Sequence, residues 1–206
     1  MMKAAEEGKI WEWRAFGQVN ESLAARVLAY PIRMGLSDLR GEDIYLISEA
    51  SDQNVKLREY ASGCFLKFKL LLEKKPGAIE LYRESARFTH SFPVSFAHLK
   101  EAARLLNITL PAGIKKNAKF DEDALVEIFA KSSPPALKVS VKKRRSQYQF
   151  SGGWLEMADV FFSRKRVQSI SINSPDVEIV ETMIKLLKIS DEMEAMNYIE
   201  ACRRWG

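Results

Sequence analysis

The sequence predicts an α+β fold in which an antiparallel sheet of about eight strands, large enough to curl or close, is covered by a few helices. Eight stretches show the two-residue alternation of strands, many beside their sequence neighbours, with Gly, Ser, Asp or Pro between them. Other stretches carry helix-start signals or apolar residues at helical spacing. At 206 residues and 47% hydrophobic content the chain can form one substantial core. It reads as a single domain over residues 1–206, without internal repeat or low-complexity tract.

In order, Lys9 to Phe16 alternates as a strand, with Ile10, Glu12 and Arg14 on one face and Trp11, Trp13 and Ala15 on the other. Asn20 to Tyr30 follows as a helix, capped by Asn20 or Ser22 and stopped by Pro31. Asp43 to Ser48, Asn54 to Glu59, Phe65 to Glu73 and Ala78 to Arg87 read as four strands. Pro93 to Leu106 is an amphipathic helix with Phe96, Leu99, Ala103 and Leu106 as its stripe. Pro111 to Lys119 is a surface connection, and Asp121 caps a further helix that Ser133-Pro134-Pro135 ends. Leu137 to Phe150, Trp154 to Ser163 and Arg166 to Asn173 form a three-stranded meander, with Ser151-Gly152-Gly153 as a turn. Ser174-Pro175-Asp176 starts a helix that buries Val177, Val180, Ile184 and Leu187, and a last helix runs from Asp191 toward Arg204.

A net charge of +5 is a mild basic bias that suits an anionic partner without choosing one. Cys64 and Cys202 make neither a metal spacing nor a disulfide framework, which points to a reducing, cytoplasmic setting. The polar start, Met1 to Lys9, lacks a signal-peptide apolar region, and no run of about 18 apolar residues predicts a membrane span.

Three separate segments set basic residues two apart: Val55-Lys56-Leu57-Arg58, Leu66-Lys67-Phe68-Lys69-Leu70 and Val139-Ser140-Val141-Lys142-Lys143-Arg144-Arg145. In strands this gives rows of cations on one face and apolar residues on the other. Solvated strands alternate in the same way, but they mix both signs with Thr, Ser and Gln. Either a polyanion-binding surface or an ordinary exposed face satisfies the pattern. His90 and His98 lack a partner at metal spacing, Cys64 has no activating neighbour, and Gly152-Gly153 lacks the Lys-Ser/Thr of a phosphate loop.

Ile10-Trp11-Glu12-Trp13-Arg14, Val55-Lys56-Leu57-Arg58, Leu66-Lys67-Phe68-Lys69, Lys143 to Tyr148, Trp154 to Val160, Ser169 to Asp176 and Asn197-Tyr198-Ile199 follow one another in the order found in a known family. In that order the chain resembles the CYTH, or triphosphate tunnel metalloenzyme, superfamily over nearly its whole length. The resemblance implies an eight-stranded antiparallel β-barrel tunnel with covering α-helices. Lys and Arg of the inner wall would hold a triphosphate, and a few Glu would hold one or two divalent cations, Mg²⁺ or Mn²⁺. Position by position, it makes Arg14, Lys56, Arg58, Lys67, Lys69, Lys143 and Arg145 phosphate ligands, and Glu12 and Glu156 the catalytic and metal-binding carboxylates. Spacing to Tyr148 selects Lys143 and Arg145, whereas alternation against Val139 and Val141 sets Lys142 and Arg144 opposite them; a bulge or an apolar tunnel mouth would reconcile the two.

The chain departs from the family among its carboxylates. The Glu, Glu, Lys slots of the N-terminal signature hold Ile10, Glu12 and Arg14, and Asn173 stands where related sequences often carry Glu. Asp43, Glu80 and Asp159 are the candidates to compensate. Alternatively, Glu12 pairs with Arg14 as a simple cross-strand ion pair, and Glu156 is a solvated edge position. The implied function is divalent-metal-dependent hydrolysis of tripolyphosphate or an organic or nucleoside triphosphate, with ATP cyclisation less favoured. The alternative is a protein that binds a triphosphate, inorganic polyphosphate or nucleotide without fast turnover. Nucleic acid is the less favoured partner, because only Phe68 and Tyr148 offer stacking faces among the cations.

Overall fold

A computed structural model describes residues 8–29, 33–34 and 39–206. Among them, eight long strands form a closed barrel: β1 (Lys9–Gly17), β2 (Leu39–Ser48), β3 (Ser51–Tyr60), β4 (Gly63–Lys75), β5 (Ile79–Arg83), β6 (Leu137–Phe150), β7 (Gly153–Phe161) and β8 (Arg166–Ser174). The order around the wall is β7, β8, β1, β5, β4, β3, β2, β6, and β6 pairs back onto β7 to close it. Every neighbouring pair is antiparallel. Closure leaves no long unpaired edge and encloses one face of every strand.

Five helices accompany the described strands: α1 (Glu21–Ala29), α2 (Phe96–Leu106), α3 (Glu122–Ala130), α4 (Val177–Leu187) and α5 (Tyr198–Trp205). The apolar outer face of β3 and β4, with Val55, Leu57, Leu66 and Phe68, is covered by Leu99, Ala102 and Leu106 of α2 and by Leu125 and Phe129 of α3. Trp13, Ala15, Leu155, Ile170 and Ile172 are covered elsewhere by Leu23 and Val27 of α1 and by Val180 and Met183 of α4. Each such side chain withdrawn from water contributes about 1.5–3 kcal/mol, so the outer faces hold the helices on. No described helix is long and apolar enough to cross a membrane.

The third core lies inside the barrel. Phe16, Tyr45, Ile47, Val139, Val141, Ala158 and Val160 point inward and pack against Tyr198, Ile199, Ala201 and Cys202 of α5. The C-terminal helix therefore stoppers one end of the barrel with an apolar plug. This settles the register of β6: Val139, Val141 and Lys143 are buried on one face, while Lys142 and Arg144 are exposed on the other. The inner face changes from apolar to cationic along an unbroken strand, as an apolar mouth requires.

Several boundaries differ from the sequence expectation. The strand expected over Ala78 to Arg87 stops at Arg83, because Ser85 Oγ accepts from the Arg87 amide and starts a 3₁₀ turn over Ala86–Phe88. The second helix begins at Phe96 rather than Pro93, since Val94 and Ser95 pair with Phe120 and Lys119. The meander strand read to Ser163 ends at Phe161. The last helix begins at Tyr198 rather than Asp191, because Ala195 and Glu194 pair with Ala15 and Phe16 of β1 before Asn197 caps it. Asn20 does cap α1, accepting from the Leu23 amide at 2.8 Å, whereas Tyr30 and the Pro31 stop lie outside the described residues.

The plug depends on Asn197. Its Oδ1 accepts from the amides of Ile199 (2.8 Å) and Glu200 (2.9 Å), and its Nδ2 donates to the buried Glu80 carboxylate at 2.8 Å. Asn197→Ala is expected to lose about 1–2 kcal/mol from the cap and more from the Glu80 oxygen that loses its Asn197 donor. Urea unfolding checks this; an unchanged midpoint would mean that α5 seats without its cap.

Candidate anion-binding tunnel

Strand alternation builds the site in pairs of residues two apart: Glu12 and Arg14 on β1, Lys56 and Arg58 on β3, Lys67 and Lys69 on β4, Lys143 and Arg145 on β6, with Glu156 on β7. All nine side chains expected from the sequence line one cavity of about 180 Å³. Among the described residues, seven cations and three carboxylates line it, the third carboxylate being Glu84. Arg14, Lys56 and Lys143 are each only 6% exposed, and Lys69 is 9% exposed.

Charges withdrawn this far from water need counter-charges at hydrogen-bonding distance. Asp43, 3% exposed, serves three cations. It accepts a two-pronged grip from Arg58 (Nε 2.5 Å, Nη2 2.7 Å), a bond from Lys143 Nζ at 2.7 Å, and lies 3.4 Å from Lys56 Nζ. Glu12 binds Lys69 at 2.6 Å and Arg14 Nε at 3.2 Å. Glu156 lies 3.5 Å from Arg14 Nη2 and 3.6 Å from Arg145 Nη1, and accepts from Gln147 at 3.2 Å. Glu84 pairs with Lys67 at 3.0 Å and Lys69 at 3.3 Å. Aromatic faces add to this: the Tyr198 ring lies under Lys143 (3.7 Å) and Arg14 (4.5 Å), and Tyr82 under Lys69 (4.1 Å).

The carboxylates remain ionised. Burial pushes Glu12 upward, but Lys69 and Arg14 overcome it and bring the group down to about 2. Burial likewise opposes ionisation of Asp43 and Glu156, and neighbouring cations lower both nonetheless. The lysines divide: burial presses Lys69 down, but Glu12 and Glu84 overcome it and raise the group, whereas Lys143 and Lys56 are lowered. Burial lowers Lys143 to about 8 despite Asp43, with Arg58 and Arg14 pressing the same way. Lys56 is lowered well below its ordinary value by burial and by Arg58. The cavity therefore holds more positive charge than its own carboxylates balance. Arg145 Nε and Asn54 Oδ1, both buried, have no partner among the described residues.

Sequence reasoning found the cations and two of their carboxylates, Glu12 and Glu156, named Asp43 among three candidates, and missed Glu84. Of the three compensating candidates, Asp43 binds tunnel cations; Asp159 takes a bond from Gln168 at 3.3 Å and lines a separate outer pocket. Glu80 is buried but is held by Tyr82 (2.6 Å) and Asn197 (2.8 Å). Glu84, Tyr45, Tyr82 and Tyr198 were not anticipated. The signal was present as spacing, in Asp43-x-Tyr45 and Glu80-x-Tyr82-x-Glu84. Trp13 is buried in the core that α1 covers, and Trp11 packs against it.

The residues present do not fit a resident Mg²⁺ or Mn²⁺. Glu12 and Glu156, expected to bridge a metal, are bridged by the Arg14 guanidinium. Among the described residues, no three His, Cys, Asp or Glu side chains gather as a metal site. β8 faces the cavity only with the neutral Ser171 and Asn173. Hard divalent cations require several oxygen ligands, mostly carboxylate, phosphate or water.

Asp43→Asn removes the counter-charge shared by Lys56, Arg58 and Lys143, and is expected to destabilise the fold by about 3–5 kcal/mol at pH 7. Lys143 titrates near 8 in the folded chain against 10.5 as reference, so the unfolded chain holds that proton more tightly and stability rises with pH between those values. Urea unfolding at pH 7 and 9 should therefore show a smaller loss at pH 9, and a pH-independent loss would count against the crowding of charge.

No family model matches the sequence, and no curated protein matches it. Solved structures do. A protein of Pyrococcus horikoshii OT3 superposes with a TM-score of 0.51 at 16% identity, covering 92% of this chain and 98% of that one. A Bacillus halodurans protein, provisionally assigned as an adenylate cyclase, gives 0.50 at 13% identity, covering 94% and 98%. At such identities the likeness is one of fold. That fold, a closed eight-stranded antiparallel barrel, is the one implied by the sequence resemblance.

Proposed function

We propose that the tunnel takes up the phosphate chain of a tripolyphosphate, an inorganic polyphosphate or an organic triphosphate. The observation that carries this is the gathering of seven cations around about 180 Å³, more than the enclosed carboxylates balance. A polyphosphate supplies the missing negative charge together with many hydrogen-bond acceptors. Arg145 offers a planar fork, Arg58 the edge of its guanidinium that Asp43 does not take, and Lys67 and Lys69 movable point charges. A long nucleic-acid strand needs an open basic groove with stacking rings, whereas here the cations face into a closed wall.

Metal-dependent hydrolysis of the same substrates is the second reading. It is favoured by two ionised carboxylates, Glu12 and Glu156, lining the cavity. The committed state of both carboxylates favours binding over turnover.

Calorimetry with tripolyphosphate, ATP, GTP and thiamine triphosphate tests the proposal, with phosphate release measured on the same samples with Mg²⁺ or Mn²⁺. Lys67→Ala is expected to weaken binding about 10- to 100-fold, the value of a charge-assisted bond. Binding at pH 8 is expected to take up protons, because a bound anion restores the charge of Lys143; heats measured in two buffers of different ionisation enthalpy report it. If no panel member binds, the proposal fails. Phosphate release that disappears in Glu12→Gln and Glu156→Gln would instead establish the hydrolase.

A further inference from the structure

The geometry points to a tunnel that holds its phosphate chain without a divalent metal, with the guanidinium of Arg14 standing where a bridging cation would sit; this rests on the function proposed above. Arg14 is fixed on every side. Its Nε reaches Glu12 Oε1 at 3.2 Å, its Nη2 lies 3.5 Å from Glu156 Oε1, and its Nη1 donates to Ser169 Oγ at 3.2 Å. The plane lies 4.5 Å from the centre of the Tyr198 ring. A planar, permanently charged group held at all three nitrogens does not swing aside as a lysine can.

The remaining carboxylate oxygens are also engaged. Glu12 Oε2 takes Lys69 at 2.6 Å. Glu156 Oε2 takes Gln147 at 3.2 Å and lies 3.6 Å from Arg145. A metal entering here would displace a buried guanidinium and leave it without counter-charge, a change that costs several kcal/mol. Nearby wall positions do not make good the loss. Asn173, opposite Glu12, donates through Nδ2 to Ser171 Oγ at 3.1 Å, and Ile10, two residues before Glu12, offers no ligand.

With Arg14 supplying the positive charge between the carboxylates and six further cations around the cavity, the phosphate oxygens have partners without a metal. Divalent cations in solution then act only on the ligand. They coordinate the free polyphosphate and compete with the tunnel for its oxygens.

The test is calorimetric titration of the unmodified protein with tripolyphosphate, once in EDTA and once in millimolar Mg²⁺, with Mn²⁺ alone as a third titrant. The expected result is binding in EDTA, weakened about tenfold by Mg²⁺ through competition for the ligand, and no heat from Mn²⁺ alone. Arg14→Ala, confirmed as folded by circular dichroism, is expected to gain Mn²⁺ binding, because Glu12 and Glu156 then face each other with no cation between them. Tripolyphosphate binding that requires Mg²⁺, or Mn²⁺ binding by the unmodified protein, overturns the inference while leaving the proposed function standing. Absence of tripolyphosphate binding in both conditions overturns the inference, and the proposed function falls with it only if ATP, GTP and thiamine triphosphate fail to bind as well.

Discussion

Seven cations turned into the interior of a closed sheet can be held there only if negative charge is built in beside them, and the structure is organised around that requirement. Asp43 sits among Lys56, Arg58 and Lys143, Glu12 between Lys69 and Arg14, Glu84 between Lys67 and Lys69, and Glu156 between Arg14 and Arg145. Removing one partner from such a group leaves an uncompensated buried charge, which is why these residues act as one network rather than as separate bridges. Strand alternation makes the network possible, because each strand can present two charges to the cavity while its other face packs against helices.

The apolar stopper is the counterpart of the charged half. An open barrel end would let water reach the cations from both sides, and their attraction for a ligand would be screened. Phe16, Tyr198 and Trp205 close that end, with ring centroids 5.3–5.6 Å apart in edge-on pairs. Tyr198 belongs to both halves: its ring packs in the plug and lies under Lys143 and Arg14. Plug and charge cluster are thus joined through one residue, and the seating of α5 fixes the floor of the cavity.

Much of this was legible in the sequence, for physical reasons. Two-residue spacing of Lys and Arg between apolar residues fixes which face they take, and ordered strands of that kind constrain the barrel. The β6 conflict was also genuine information: alternation against Val139 and Val141 put Lys143 and Arg145 on their face, and the change of character along that face is the boundary of the plug. What escaped was whatever depends on pairing across distant strands. Asp43 and Lys143 are 100 residues apart yet bonded at 2.7 Å, so local spacing could name Asp43 as a candidate carboxylate but could not say which cations it would serve. Helix ends were missed where side-chain hydrogen bonds by Ser85 and Asn197 decide between competing local structures.

The neutral positions acquire a meaning from the same balance of charge. Ile10 and Asn173 stand in slots where the resemblance leads one to expect Glu, and at first sight they read as decay of a metal site. Each carboxylate absent from the wall also leaves more of the surrounding cation charge unbalanced, which favours an incoming polyanion over an incoming metal. Burial is the main cause that brings Lys143 down to about 8, and the neighbouring Arg58 and Arg14 press the same way. A bound phosphate chain relieves that pressure, so its binding energy includes recovery of charge that the folded protein holds at a disadvantage. Loss of carboxylates and gain of anion affinity are then one change seen from two sides, and Arg14, held between Glu12 and Glu156, keeps those two carboxylates paired.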